Sequence, residues 1–212
     1  MTLVSIITPS YNQAKYLEQT IQSVLSQDYP RIEYIVVDGK SKDGSVDIIK
    51  RYADKLAYWI SEKDKGQADA INKGFARATG EIIAWLNSDD YYLPGAVSAA
   101  VKVFEENPEI VLVYGNMLAV DEHGQTFNTL TYNQLTLRDL LCFQIIGQPA
   151  VFMRCLRNSK LDSLKNAPIS PGSLKSTKVV NVLQWATGLA ARSAGAALNQ
   201  ASSIASAVPP RQ

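Results

Sequence analysis

The apolar pattern of the first ninety residues changes period repeatedly, and that alternation limits the folds open to the chain. Continuous apolar runs at Leu3–Thr8, Ile32–Val37 and Glu81–Leu86 are bounded by turn residues and are too short for helices. Between the first two, Tyr16, Leu17, Ile21, Val24 and Leu25 recur at helical spacing, on a helix that ends before Tyr29-Pro30. Ser45–Tyr52, with Val46, Ile48, Ile49 and Tyr52, is a second helix, Ala57–Ile60 a short strand, and Gln67–Ala78 a helix ending at Gly80. Strands buried on both faces read as unbroken apolar runs, so the alternation predicts βαβ units. The expected fold is α/β, with a Rossmann-like, mostly parallel sheet flanked by helices.

Farther on, Pro94-Gly95 opens a helix running through Phe104, with proline in its first turn. Ile110–Tyr114 is a strand, residues 115–130 form a hairpin turning at Glu122-His123-Gly124, Leu137–Leu141 is a short helix, and Pro149–Met153 is a last strand. Residues 1–154 therefore read as one α/β domain. After Arg154 the texture changes: the final 58 residues hold ten Ala and nine Ser, with Trp185 the only aromatic and Asp162 the only acid. Asn158–Lys178 has no steady period and Val179–Ala207 has an Ala-rich helical flavour, so residues 155–212 are expected to be a low-complexity tail, poorly ordered or marginally helical.

The near-zero net charge of +1 conceals this division. Residues 1–154 hold 14 Lys/Arg against 19 Asp/Glu, whereas 155–212 hold seven Lys/Arg against one Asp. Without a strong overall field, a nucleic-acid partner is not expected. Cys142 and Cys155 cannot make a disulfide framework, and a single histidine, His123, rules out a zinc cluster of the Cys/His kind. The N-terminus lacks a basic n-region, and no run of 18 apolar residues offers a membrane span. A reducing, cytoplasmic setting is expected, compatible with peripheral membrane association.

Open parallel sheets bind ligands outside the carboxyl ends of their strands. Three polar segments converge there: Thr8-Pro9-Ser10-Tyr11-Asn12, Asp38-Gly39-Lys40-Ser41-Lys42-Asp43-Gly44-Ser45, and Asn87-Ser88-Asp89-Asp90. Adjacent Asp89 and Asp90 repel each other unless a cation or hydrogen bonds neutralise them. Mg²⁺ or Mn²⁺, held by one or two carboxylates and the phosphates of a substrate, suits a donor set rich in Asp and poor in His. Lys63, Lys65 and the segment Gly66-Gln67-Ala68-Asp69-Ala70-Ile71-Asn72-Lys73-Gly74 lie nearby, and the helix N-terminus at Gly66-Gln67 could face an anion.

Four motifs in order carry a resemblance: Val4-Ser5-Ile6-Ile7-Thr8-Pro9-Ser10-Tyr11-Asn12; Tyr34-Ile35-Val36-Val37-Asp38-Gly39 with Asp43-Gly44-Ser45; Gly66 to Gly74; and Gly80-Glu81-Ile82-Ile83-Ala84-Trp85-Leu86-Asn87-Ser88-Asp89-Asp90. They resemble family 2 glycosyltransferases of the GT-A fold, and the likeness continues more weakly through Val113-Tyr114-Gly115-Asn116 and Gly147-Gln148-Pro149-Ala150-Val151-Phe152 to about Arg154. The resemblance implies an inverting, metal-assisted transfer of sugar from a nucleotide-diphosphate donor to a saccharide or lipid-linked acceptor, in polysaccharide biosynthesis. It implies that Thr8, Pro9 and Tyr11 line the nucleotide pocket, that Asp38 receives the base, and that Asn72 and Lys73 lie beside the donor. Asn87 and Asp89 match the two ends of the family's Asp-x-Asp motif. Because the first end is Asn here, Asp89 and Asp90 are left as the anionic metal ligands.

The family's acceptor base lies after the Gly-Gln-Pro-like segment, where the tail offers only Asp162, so no catalytic base is assigned. The simplest expectation is a C-terminus that is truncated, frame-shifted or replaced after about Arg154. The alternative reading is an inactive nucleotide-sugar-binding remnant. A nucleotidyltransferase is disfavoured, since the N-terminal region has no Gly-rich, basic triphosphate loop. Other residues have plainer readings. Asp43 or Ser45 is the expected helix cap, Lys40, Lys63 and Lys65 are solvated charges, Tyr58, Trp59 and Trp85 are core or pocket wall, and His123 is exposed.

Overall fold

The structure, a computed structural model, describes residues 1–132 and 146–155 and the backbone of 178–190. Leu137–Leu141, Asp162 and the tail other than residues 155 and 178–190 lie outside the described residues. The elements run β1 (Val4–Ser10), α1 (Ala14–Leu25), β2 (Ile32–Asp38), α2 (Ser45–Arg51), β3 (Tyr58–Ser61), α3 (Gln67–Arg77), β4 (Ile82–Trp85), β5 (Asp90–Tyr92), α4 (Ala96–Glu106), β6 (Ile110–Val120), β7 (Thr126–Leu130), β8 (Val151–Arg154) and β9 (Lys178–Ala190). The described strands form one sheet in the order β3-β2-β1-β4-β8-β6-β9-β5, with β7 beside β6. Its first four strands are parallel. Antiparallel pairing begins where β8 joins β4.

Alternation along each strand divides the core between the two faces of the sheet. Val4, Ile6, Tyr34 and Val36 pack with Leu17, Ile21 and Val24 of α1, Ile48 and Ile49 of α2, and Val97, Val101 and Phe104 of α4. Ile7, Ile35 and Val37 face the other way, onto Ala70 and Ala78 at and just beyond α3. There α3 presses close to β1, because a Cβ on Gly74 would lie 2.3 Å from Ile7 Cγ2. Ile7 is fully buried and β-branched, so it has little room to yield. Gly74→Ala is expected to lower stability by about 1–3 kcal/mol, read as a reduced urea midpoint at an unchanged m-value.

Three local expectations are corrected. The residue before α2 is Gly44, in the left-handed region at φ 97°, so neither Asp43 nor Ser45 is its N-cap. Asp43 instead accepts the backbone N–H of Ala14, at the start of α1, together with the N–H and hydroxyl of Ser45, and so ties the β2–α2 loop to α1. Helix α4 starts from Gly95 at φ 82°, which leaves Pro94 outside its first turn. Strand β6 continues from the expected Ile110–Tyr114 through Gly115-Asn116 to Val120, so the expected strand and the first arm of the expected hairpin are one element. The hairpin turn after it sits where expected, with the Gly124 N–H donating to the Asp121 carbonyl.

Residues 178–190 form a strand, not the start of a helix. β9 lies parallel to β6 and antiparallel to β5. Val179, Val180 and Val182 favour an extended chain, and ladder hydrogen bonds on both sides outweigh the weak helical preference of the alanines that follow. Among the described residues, no helix is long and apolar enough to cross a membrane.

Candidate active site

Ladder hydrogen bonds extend one step past the parallel strands and set the loops at a common level. The Gly39 N–H donates to the Ser10 carbonyl at 2.8 Å, that of Glu62 to Asp38 at 2.9 Å, and that of Leu86 to Ile7 at 2.8 Å. Segments 9–13, 39, 63–70 and 87–89 thereby surround a cleft of about 710 Å³ at the carboxyl ends of β1, β2 and β4. One wall is locked by two non-glycine residues in the left-handed region, Asn12 at φ 52° and Lys40 at φ 68°. Asn12 donates its N–H to Ser41 Oγ, and its side-chain oxygen accepts the Lys42 N–H. Such conformations persist where surrounding bonds enforce them, often at functional sites.

The expected site residues divide into those on the cleft wall and those behind it. Pro9, Tyr11, Asn87 and Asp89 line the cleft. Thr8 is buried, its hydroxyl 3.0 Å from that of Tyr34. Asp38 is fully buried at the end of β2, where its carboxylate accepts the Ser41 N–H, the Ser41 hydroxyl and the Ser61 hydroxyl. Asn72 is exposed on α3. Lys73 turns from the cleft and bridges Glu62 at 2.8 Å and Asp69 at 3.4 Å, while donating to the Lys63 carbonyl. Those bonds hold its ammonium above the ordinary lysine range, with Glu62 the main cause. Lys73 thus fastens the loop that carries Lys63 and Asp64 to the cleft. Trp59 and Trp85 pack against the core and His123 is exposed, as expected.

Asn87 has every polar group of its amide engaged. Gln148 donates from Nε2 to the Trp85 carbonyl at 2.7 Å, which leaves Gln148 Oε1 to accept from Asn87 Nδ2 at 3.0 Å. The same Nδ2 donates to Asp90 Oδ2 at 3.1 Å, and Asn87 Oδ1 accepts from Gln67 Nε2 at 2.8 Å. Because the Trp85 carbonyl can only accept, the polarity of the chain is fixed and position 87 must donate. That gives a physical reason for an amide where the family motif has an acid.

Asp89 is half-buried and lines the cleft, and burial pushes its carboxyl above the ordinary range. Asp90 is fully buried in β5. Burial, then the charge of Asp89, raises it well above that range, while the Asn87 amide pulls it down. Among the described residues, Asp90 Oδ1 has no hydrogen-bond partner. A cleft-facing carboxylate beside a buried one with an unsatisfied oxygen suits a divalent cation completed by substrate phosphates. Among the described residues, no group of three His, Cys, Asp or Glu forms a cage that would hold a metal without such help.

Ser10, Gln13, Asp64 and Ser88 line the cleft without having been singled out in the sequence. Ser10 ends the first strand motif and Ser88 lies between the two motif ends, so position was their available signal. Asp64 sits between two lysines in a charged loop that resembles a solvated surface.

Solved structures share this architecture. Staphylococcus aureus TarS 1–349, in complex with UDP-GlcNAc, matches with a TM-score of 0.63 and 20% identity over 89% of this chain and 58% of its own. The mannosyltransferase PcManGT of Pyrobaculum calidifontis, in complex with GDP-Man and Mn²⁺, matches with a TM-score of 0.62 and 20% identity over 88% and 56%. The fold is that of the GT-A glycosyltransferases. The chain belongs to glycosyl transferase family 2, whose model matches residues 5–163. It is 38% identical over 134 residues to an uncharacterized glycosyltransferase of Rickettsia conorii, covering 62% of this chain and 22% of that protein. It is 45% identical over 91 residues to TuaG, a Bacillus subtilis glycosyltransferase provisionally named for teichuronic acid biosynthesis, covering 42% of this chain and 36% of that one. The chain spans well under half the length of these two relatives.

Proposed function

We propose that the cleft binds a nucleoside-diphosphate sugar and that the protein transfers the sugar, with inversion, to a saccharide or lipid-linked acceptor in polysaccharide biosynthesis. The observation that carries this reading is the joint placement of Pro9, Tyr11, Asn87 and Asp89 around one cleft at the strand ends. Family membership supports it, as do the nucleotide sugars bound by the two solved neighbours and the pathway for which TuaG is named. All the lining residues fall between Pro9 and Asp89, within the 1–154 unit to which we assign donor binding. A cytoplasmic setting accompanies the reading, Cys155 having no disulfide partner among the described residues.

Asp89, with Asp90 behind it, would hold Mg²⁺ or Mn²⁺. When bound, the metal supplies positive charge against the departing diphosphate. The chain's own contribution is positional. Tyr11 offers an exposed ring for stacking, Lys73 holds the 62–66 loop in place, and Asn87 holds Gln67 and Gln148 around the acidic turn.

A second reading, a nucleotide-sugar-binding remnant without transfer, is favoured by one observation. Among the described residues no carboxylate follows Glu122, and those lining the cleft are Asp64 and Asp89. Calorimetry with UDP and GDP in the presence of Mn²⁺, beside a donor-hydrolysis and transfer assay, separates the readings. The first expects binding with turnover, and binding without turnover would select the remnant. Absence of nucleotide binding would reject both.

A further inference from the structure

We infer that Asp64, rather than Asp38, is the carboxylate that reads the nucleobase, and that it selects a base presenting a ring N–H donor. The inference rests on the nucleoside-diphosphate reading of the cleft given above.

Asp38 is poorly disposed to receive a base. Its carboxylate is fully buried and already accepts three hydrogen bonds from Ser41 and Ser61. Three bonds leave about one of a carboxylate's four acceptor sites, but Asp38 does not line the cleft, so a base could reach that site only by displacing the groups that cover it. Burial and its three bonds to the neighbouring loops give Asp38 a positioning role. Its bonds to Ser41 also draw in Asn12, whose N–H donates to the same hydroxyl.

Asp64 has the opposite character. It stands on the cleft wall, and its Oδ1 is fixed by the Gly66 N–H at 2.9 Å. Its Oδ2 lies over Gly39, where an added Cβ would come within 2.6 Å of it and 3.1 Å of Tyr11 Cδ2. Gly39 is not in the left-handed region, so what it contributes is space between the Tyr11 ring and the Asp64 carboxylate. Tyr11 is 63% exposed. An open aromatic face beside a fixed acceptor oxygen is an arrangement that recognises a planar heterocycle, the ring by stacking and its edge by hydrogen bonding.

The acceptor decides which edge fits. A carboxylate can only accept, and uracil and guanine each present a ring N–H on the Watson–Crick edge. Cytosine and adenine present a ring nitrogen lone pair at that place, with their donor on the adjacent exocyclic amino group, so to donate to Asp64 they must shift from the position uracil and guanine take. Asp64 therefore favours UDP or GDP over CDP and ADP.

Calorimetric titration of wild type, Asp64→Asn, Gly39→Ala and Asp38→Asn with UDP, GDP, CDP and ADP, each with Mn²⁺, tests this. Wild type is expected to prefer UDP or GDP. Asp64→Asn should weaken the preferred nucleotide about tenfold, the scale of one hydrogen bond to a charged group. The amide can also donate, so the preference over CDP should shrink towards unity. Gly39→Ala should displace the Asp64 carboxylate and shift the preference the same way, with an unchanged thermal midpoint. Asp38→Asn should lower the thermal midpoint and weaken all four nucleotides by a similar factor. A preference that survives in Asp64→Asn, or is lost only in Asp38→Asn, overturns the inference and leaves the donor site standing. Failure of wild type to bind any of the four overturns both.

Discussion

Asp89→Ala is expected to lower the affinity for UDP or GDP, measured with Mn²⁺, by at least about 100-fold, since even residues that only support a metal ligand contribute 10–100-fold. Without metal the same variant should bind nucleotide about as weakly as wild type, because what is removed is the cation's anchor and not a contact with the base. The loss should come without unfolding. Asp89 lies in the turn between β4 and β5, and burial already disfavours its charge. Deleting the carboxylate therefore relieves the metal-free fold, and the thermal midpoint at neutral pH should equal or exceed that of wild type. Asp90→Ala should behave differently. It removes the acceptor for Asn87 Nδ2 and leaves space in the core, so it should lose stability as well as binding. Unchanged Mn²⁺-dependent binding in Asp89→Ala would show that the acidic turn is not where the cation sits.

How far the sequence carried can be judged from single elements. β1, α1, β2, α2, β3, α3 and β4 were legible to within about two residues, because parallel strands buried on both faces leave unbroken apolar runs and their helices keep an apolar stripe. β5 was not legible. Its three residues open on a buried acid, and their extended form comes from pairing with β9, nearly a hundred residues later. β9, whose only alanines are Ala186 and Ala190, was hidden by being read together with the Ala-rich sequence that follows it. In β6 the strand runs on through Gly115-Asn116, where its register with β9 shifts. In the cleft, strand-end position marked three polar segments, and the resemblance to family 2 glycosyltransferases picked out Pro9, Tyr11, Asn87 and Asp89, which line it. Neither cue separated Asp38 from them. β2 runs one residue beyond Val37, so Asp38 pairs with Ser10 inside the sheet and Gly39 is the first residue of the cleft. Nor could either indicate Asp64, whose place over Gly39 depends on how the β3–α3 loop returns.

Metal-free protein should become more stable as the pH falls from neutral towards the ordinary carboxylate range, and Mn²⁺ at neutral pH should recover much of that gain. Asp89 and Asp90 are both raised in the folded protein, mainly by burial, with Asp90 raised further by the charge of Asp89. An acid raised on folding binds its proton more tightly in the folded than in the unfolded chain. Its ionisation therefore costs stability above the folded pKa, and that cost disappears as pH falls through the folded value towards the unfolded one, about 3.9 for Asp. Glu33 and Asp43 act with the opposite sign. Burial raises each, but it is outweighed by hydrogen bonds, from Ser5 and Thr79 on Glu33 and from Ser45 and Ala14 on Asp43, so both are lowered. Their contribution is lost only as pH falls through their depressed values, and the stability maximum should lie between the two windows. Each kcal/mol gained should move the thermal midpoint by about 2–4 °C for a chain of this size. Asp90→Asn tests the source: it should flatten the rise on acidification and reduce the Mn²⁺-induced increase in midpoint together. A rise of wild-type size in that variant would place the responsible groups elsewhere. A midpoint indifferent to Mn²⁺ in wild type at neutral pH would count against the acidic turn as a cation site, because a cation that binds only the folded chain must raise its midpoint.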